Sequence, residues 1–110
     1  MKMIKAKLIK IYVKEGDRYK GKPIYKYILS FLQSKDISGA TVYKGICGYG
    51  VRGVSEFDIF RLSMDLPLVI ECIDTEEKIE SVLPELYDII KENGLIIIGD
   101  CLVHKGKKES

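Results

Sequence analysis

A chain of 110 residues with 46% hydrophobic and 31% charged side chains has the size and composition of one globular domain with a core of its own. Its formal net charge of +2 is too small to single out nucleic acid as a partner, and no apolar run approaches the ~20 residues of a membrane span; neither nucleic-acid binding nor membrane insertion is expected. Cys47, Cys72 and Cys101 are odd in number and widely spaced, and His104 is the single histidine, which disfavours zinc and disulfide frameworks and points to a reducing cytoplasm.

Met3–Val13 predicts a strand: Ile4, Ala6 and Leu8 alternate with Lys5 and Lys7 before Ile9, Ile11 and Val13 continue the apolar content. Nothing at this end has the long apolar stretch of a signal peptide. Lys14–Lys22 is a polar loop, and Pro23 follows where the first turn of a helix tolerates proline. Ile24, Tyr27, Ile28, Phe31 and Leu32 then recur at helical spacing, giving an amphipathic helix expected to end near Ser38-Gly39. Ala40–Cys47 is a β-branched strand running into a glycine-rich turn. Val51–Asp65 is ambiguous, with Phe57, Phe60 and Met64 marking a short helix or an apolar loop.

Leu66–Ile73 is an apolar strand interrupted by Glu71, with Pro67 at its start. Asp74 or Thr75 can cap a second helix, whose positive end suits Glu76, Glu77 and Glu80. Ile79, Val82, Leu83, Leu86, Ile89 and Ile90 form its stripe, and Pro84 removes one of its backbone hydrogen bonds and predicts a kink. Asn93-Gly94 closes the helix, and Leu95–His104 is a last strand. The order β-α-β-β-α-β predicts an α+β, ferredoxin-like two-layer sandwich: a four-stranded antiparallel sheet with both helices on one face. We expect a single domain over residues 1–104 and a disordered tail over 105–110.

Two helices cover one face of such a sheet, so the other should carry polar residues. Leu68-Val-Ile and Leu95-Ile-Ile-Ile do not alternate. Apolar side chains must therefore point both ways, and the exposed face is expected to be buried in a homo-oligomer. The other possibility is that strand ends tuck under the 51–65 segment.

Gly48, Gly50 and Gly53 spell G-x-G-x-x-G, the spacing of a dinucleotide fingerprint, with Asp74 at roughly the distance of the acidic ribose partner. The context opposes it, because a full crossover helix and a parallel sheet should follow, whereas Val51–Met64 offers at most a short helix and too few strands remain for a doubly wound sheet. Two possibilities stay open. The glycines can serve a hairpin end or bulge, or they can let a ligand lie on the backbone, where N–H groups meet phosphate oxygens. Tyr49 and Arg52 add a stacking ring and a cation. Arg18 and Lys22, with Lys20 between them, form a second basic cluster beside a helix N-terminus, or a solvated loop. Catalysis has little support: His104 borders the tail, the cysteines have no adjacent histidine, and no serine sits in a nucleophile elbow. We expect no enzyme and no bound metal.

Three stretches are distinctive together: Ile11-Tyr-Val-Lys-Glu-Gly-Asp-Arg-Tyr-Lys-Gly-Lys-Pro23, Gly39-Ala-Thr-Val-Tyr-Lys-Gly-Ile-Cys-Gly-Tyr-Gly50 and Asp65-Leu-Pro-Leu-Val-Ile-Glu-Cys-Ile-Asp74. On these, from about Ala6 to Val103, the chain resembles the small, uncharacterised PII-like proteins of bacteria and archaea. The resemblance implies a cytoplasmic homotrimer that binds an adenine nucleotide between subunits. It also implies signalling to a protein partner, a transporter or an enzyme, through a T-loop at about Gly50–Asp65. It places ligand contacts at Thr41, Gly48, Tyr49 and Gly50, with Arg52 a phosphate partner. The second glycine loop of PII proteins is missing or minimal at Asn93-Gly94. Phosphates would then meet Arg18 and Lys22, or fewer would be bound, so ADP or AMP is expected ahead of ATP. The loop tyrosine that PII proteins modify has no clear counterpart. A trimeric interaction module without a small-molecule ligand is the alternative.

Overall fold

The computed structural model describes residues 3–50, 53–56 and 65–104. Among these residues eight strands and two helices follow one another: β1 (Ile4–Lys14), β2 (Arg18–Tyr19), β3 (Lys22–Pro23), α1 (Ile24–Ser34), β4 (Ala40–Lys44), β5 (Cys47–Gly50), β6 (Gly53–Glu56), β7 (Pro67–Asp74), α2 (Glu76–Ile90) and β8 (Leu95–Val103). Four of the strands form an antiparallel sheet in the order β4-β7-β1-β8. With both helices packed on it, this is the α+β, ferredoxin-like sandwich expected of the sequence.

Cross-strand pairing sorts the side chains onto two faces. Ile9, Ile11 and Val13 stand opposite Cys72, Ile70 and Leu68, and all six are buried. Ile24, Ile28, Phe31 and Leu32 of α1 close over them with Ile79, Val82, Leu86, Ile89 and Ile90 of α2. Each helix contributes the stripe its periodicity predicts.

The opposite face is bare. Leu8, Lys10 and Tyr12 of β1 lie beside Ile73, Glu71 and Val69 of β7, and Tyr12 and Lys10 also beside Leu95 and Ile97 of β8. Tyr12, Tyr43, Ile73, Leu95 and Ile97 are 37–58% exposed there. One ion pair, Lys10 with Glu71 at 3.8 Å, interrupts this apolar surface. It gives Glu71 the lysine partner that its place in an apolar strand calls for. Edge strand β8 also exposes Ile98 and Leu102 on its other side.

Four local details depart from the sequence expectations. Helix α1 ends at Ser34, not near Gly39. Asp36 takes the left-handed position (φ 58°), its N–H donates to Gln33 O, and the Ile37 N–H reaches back to Leu32 O. This is a Schellman closure, sealed by the buried Ile37 and Leu32. Helix α2 stops at Ile90, with Lys91 at φ 50°. The loop after β1 contains the β2–β3 hairpin, whose two turn residues, Lys20 and Gly21, both have positive φ (49° and 79°), as a primed two-residue turn requires. Finally, the predicted strand Ala40–Cys47 is broken at Gly45. The Gly45 N–H donates to Pro67 O at 2.8 Å, and a Cβ there would sit 2.7 Å from Pro67 Cγ. The chain leaves the sheet at this point.

Asp74 joins the two helices. Its carboxylate accepts from the Thr75 N–H at 2.7 Å and from the N–H and hydroxyl of Ser38, both at 2.9 Å. Thr75 caps α2 through the Lys78 N–H, and Lys78 Nζ reaches Asp36 O. Partial burial pushes the Asp74 carboxyl up, but these donors and the Lys78 charge outweigh it and hold the group below the usual carboxylate range.

Candidate functional site

Beyond Gly45 the chain forms a second, two-stranded ladder. Cys47, Gly48, Tyr49 and Gly50 of β5 pair with Glu56, Ser55, Val54 and Gly53 of β6. Gly48 and Gly50 are therefore strand residues, and neither has a positive φ. Gly50 has no atom of the described residues within 4 Å of its would-be Cβ. A hairpin end is thus part of the answer, yet neither turn geometry nor packing calls for glycine at position 50.

Both feet of this excursion are tied to the loop after β1. Lys44 forms an ion pair with Glu15, the Glu15 N–H donates to Leu66 O, and the Gly16 N–H donates to Asp65 Oδ1 at 2.7 Å. A Cβ on Gly16 would lie 2.9 Å from that oxygen, so the approach depends on glycine.

A cleft of about 670 Å³ opens at this end of the bare sheet face. Tyr12, Lys14, Pro67 and Val69 line its base, Gly45 and Cys47–Gly50 one side, and Glu92–Leu95 the other. Ring, aliphatic and backbone surfaces predominate, with a few polar groups among them, as in small-molecule sites. Tyr49 is 90% exposed at the rim, which leaves its ring free to stack on a planar ligand.

Short-range geometry positions the Glu92–Leu95 side. The Lys91 N–H donates to Tyr87 O and the Asn93 N–H to Ile90 O. A Cβ on Gly94 would lie 2.6 Å from Tyr12 O and 2.8 Å from Ile90 Cγ2. Glycine is obligatory there for close packing against the central strand.

Of the residues expected to contact a ligand, Gly48, Tyr49 and Gly50 line the cleft together. Thr41 lies on the bare face opposite Glu71, outside the lining. Arg18 and Lys22 stand on the β2–β3 hairpin at the start of α1, away from the cleft of their own chain, with the Arg18 guanidinium donating to Gly21 O. Arg52 and most of the expected T-loop, Gly50–Asp65, lie outside the described residues. The 105–110 tail does too. Sequence reasoning missed Tyr12, Lys14, Val69 and Glu92 as cleft residues. Strands β1 and β7 and the α2–β8 turn bring them together, and the only available signal was the minimal Asn93-Gly94 loop.

Among the described residues no group of His, Cys, Asp or Glu could hold a metal ion, and no helix is long and apolar enough to cross a membrane. Burial pushes the Cys72 thiol up to about 11, with the charges of Asp74 and Glu71 adding to it; Cys47 is exposed at the cleft.

A four-stranded antiparallel sheet under two helices, with a hairpin-walled cleft at one end, is a ferredoxin-like fold that the chain shares with PII-like proteins of known structure. Residues 6–103 match the DUF190 family, described as Uncharacterized ACR, COG1993, and the chain belongs to that family. A UPF0166 protein of Methanocaldococcus jannaschii is 66% identical over 105 residues, 96% of this chain and 97% of that one. Among solved structures the chain is similar to CPII, a nitrogen regulatory PII-like protein from Thiomonas intermedia K12 bound to ADP, AMP and bicarbonate. That match has a TM-score of 0.75 at 17% identity, covering 94% of this chain and 92% of that one. A putative PII-like signaling protein from Thermus thermophilus matches with a TM-score of 0.66 at 19% identity, covering 94% of this chain and 93% of that one.

Proposed function

We propose that this chain is a non-enzymatic PII-like signalling protein that binds an adenine nucleotide in the cleft at the end of its bare sheet face. The observation that carries this reading is the cleft itself. Gly48 and Gly50 present bare backbone to it, Tyr49 offers a ring for the base, and Lys14 supplies a cation. The similar CPII structure holds ADP and AMP, which supports the same ligand class here.

Assembly rests on a separate observation, the apolar face around the Lys10–Glu71 pair. We propose that three copies bury these faces against one another as a homotrimer. Each cleft, which lies at the margin of that face, would then be completed by a neighbouring subunit. In that assembly Thr41, Arg18, Lys22 and Arg52 are candidates for further ligand contacts. Nucleotide in the cleft would bias residues 50–65 toward a conformation that fits a protein partner, such as a transporter or an enzyme, in the cytoplasm. A ligand shifts such a segment only through differential affinity for its states.

Calorimetric titration with AMP, ADP and ATP, repeated on Gly50→Val, tests the ligand. Binding by the wild type that the valine abolishes is the expected result. No heat with any of the three at ~1 mM, a concentration that detects even weak affinities, refutes nucleotide sensing and leaves a trimeric interaction module. A monomer in light scattering refutes the assembly.

A further inference from the structure

The charges lining the cleft also bear on how many phosphates its ligand carries, an inference that rests on the nucleotide reading above. Among the described lining residues, Lys14 is the cation and Glu92 the anion. None of the described ion pairs engages either of them. The main chain that carries both is fixed. The Lys14 N–H donates to Asp17 Oδ2 at 2.8 Å. Glu92 sits in a turn fixed by the Lys91 and Asn93 N–H bonds and by the tight seat of Gly94 on Tyr12 O.

Lys14 can pair with one phosphate group, and the Glu92 carboxylate across the cleft repels whatever negative charge Lys14 does not offset. Each further phosphate adds negative charge to the same cleft as the Glu92 carboxylate, and that repulsion is felt whatever cations a neighbouring subunit brings. For a carboxylate exposed at the cleft, where the effective dielectric is ~40–80, a like charge at ~7 Å weakens binding roughly three- to seven-fold, and the two extra charges of ATP together on the order of ten-fold or more. A positively charged or neutral residue at position 92 would have no such effect.

We propose that Glu92 is the specificity-determining residue of the cleft, favouring AMP, and after it ADP, over ATP, with Lys14 holding the retained phosphate. Glu92 is exposed on a surface turn, so its replacement leaves the core untouched and the fold is expected to survive.

The test is calorimetry of the full chain with adenosine, AMP, ADP and ATP, without divalent cations, on wild type, Glu92→Gln and Lys14→Gln. The wild type should prefer AMP. Glu92→Gln should tighten ATP roughly ten-fold and AMP no more than about three-fold, collapsing the preference. Lys14→Gln should weaken all three nucleotides and leave adenosine unchanged. Glu92→Lys, which reverses the charge, should enlarge the gain for ATP. An AMP-to-ATP ratio that Glu92→Gln and Glu92→Lys leave unaltered overturns the assignment while nucleotide binding itself stands. Wild-type protein that prefers ATP overturns it too. Absence of binding by any nucleotide removes both readings together.

Discussion

Two glycines on opposite sides of the cleft allow fold and function to be perturbed separately. At Gly94 an added methyl would lie 2.6 Å from Tyr12 O, 2.8 Å from Ile90 Cγ2 and 3.2 Å from Val13 Cγ1. Tyr12 and Val13 belong to the central strand, hydrogen-bonded on both sides, and Ile90 is buried. None can yield cheaply. Overpacking of this kind costs ~1–3 kcal/mol, and the lower chain entropy of the unfolded alanine variant returns ~0.4–1 kcal/mol. Gly94→Ala should therefore be less stable by about 1–2 kcal/mol, lowering the urea midpoint by roughly 1 M at an m-value of ~1–2 kcal/mol/M.

At Gly50 the outcome reverses. No atom of the described residues lies within 4 Å of the added methyl, and the backbone φ is not in the left-handed region. Gly50→Ala should match the wild type in stability or exceed it by ~0.5 kcal/mol. Because the methyl projects where a ligand would approach the backbone, nucleotide affinity should fall by at least about ten-fold. Urea melts at one fixed protein concentration, paired with calorimetry, read both effects. Equal stability of Gly94→Ala and wild type would refute the steric reasoning, and unchanged affinity in Gly50→Ala would refute the placement of the ligand.

Asp74→Ala should cost about 1–2 kcal/mol at neutral pH, the value of hydrogen bonds to a carboxylate discounted for its partial exposure. Because the folded carboxyl sits below its unfolded range, that contribution is present above the unfolded pKa and lost as pH falls through the folded one. Melts of the two proteins should converge in acid, and a constant gap would contradict the link. Cys72 behaves oppositely: its folded value of about 11 lies above the ordinary 9.0, so its contribution is full below pH 9.0 and lost as pH rises toward 11. Wild type should lose about 2 kcal/mol more than Cys72→Val across that window, and parallel profiles would exclude the effect. A thiol reagent under native conditions should label exposed Cys47 first and buried Cys72 only on unfolding, with nucleotide slowing Cys47; early modification of Cys72 would contradict its burial. If the assembly proposed above holds, Ile97→Asp, on the bare sheet face beside Lys10, should give a monomer in light scattering where the wild type gives a trimer, and an unaltered mass would move the interface elsewhere.

Both helices and the four principal strands could be read from the chain because each buries one face. Ile24–Leu32 and Ile79–Ile90 repeat at the helical period, and β1 alternates against its helices. The bare face was legible too, since Leu68-Val-Ile and Leu95-Ile-Ile-Ile cannot point all their side chains one way. The exits from these elements were harder to read. Positive φ fell to Asp36 and Lys91 rather than to Gly39 or Asn93-Gly94: at Asp36 because a Schellman closure is decided by where the next apolar residue, here Ile37, can reach the core, and at Lys91 because the Asn93 N–H closes a turn on Ile90 O. Gly45 ends β4 on account of Pro67, a residue far along the chain whose proximity no local pattern signals.

The glycine run shows the same division. Its spacing resembled a dinucleotide fingerprint, and the lack of a following crossover helix was enough, from the sequence, to reject that. Local sequence determined that backbone would be bare at positions 48 and 50 and that a ring would stand between them. Only the tertiary structure decided what faces them. Tyr12, Lys14, Val69 and Glu92 arrive from two strands and a helix end, through antiparallel pairing between residues far apart in the chain. Periodicity reports which face of an element is apolar. It carries no information about which elements converge at one end of a sheet, and the cleft is made by that convergence.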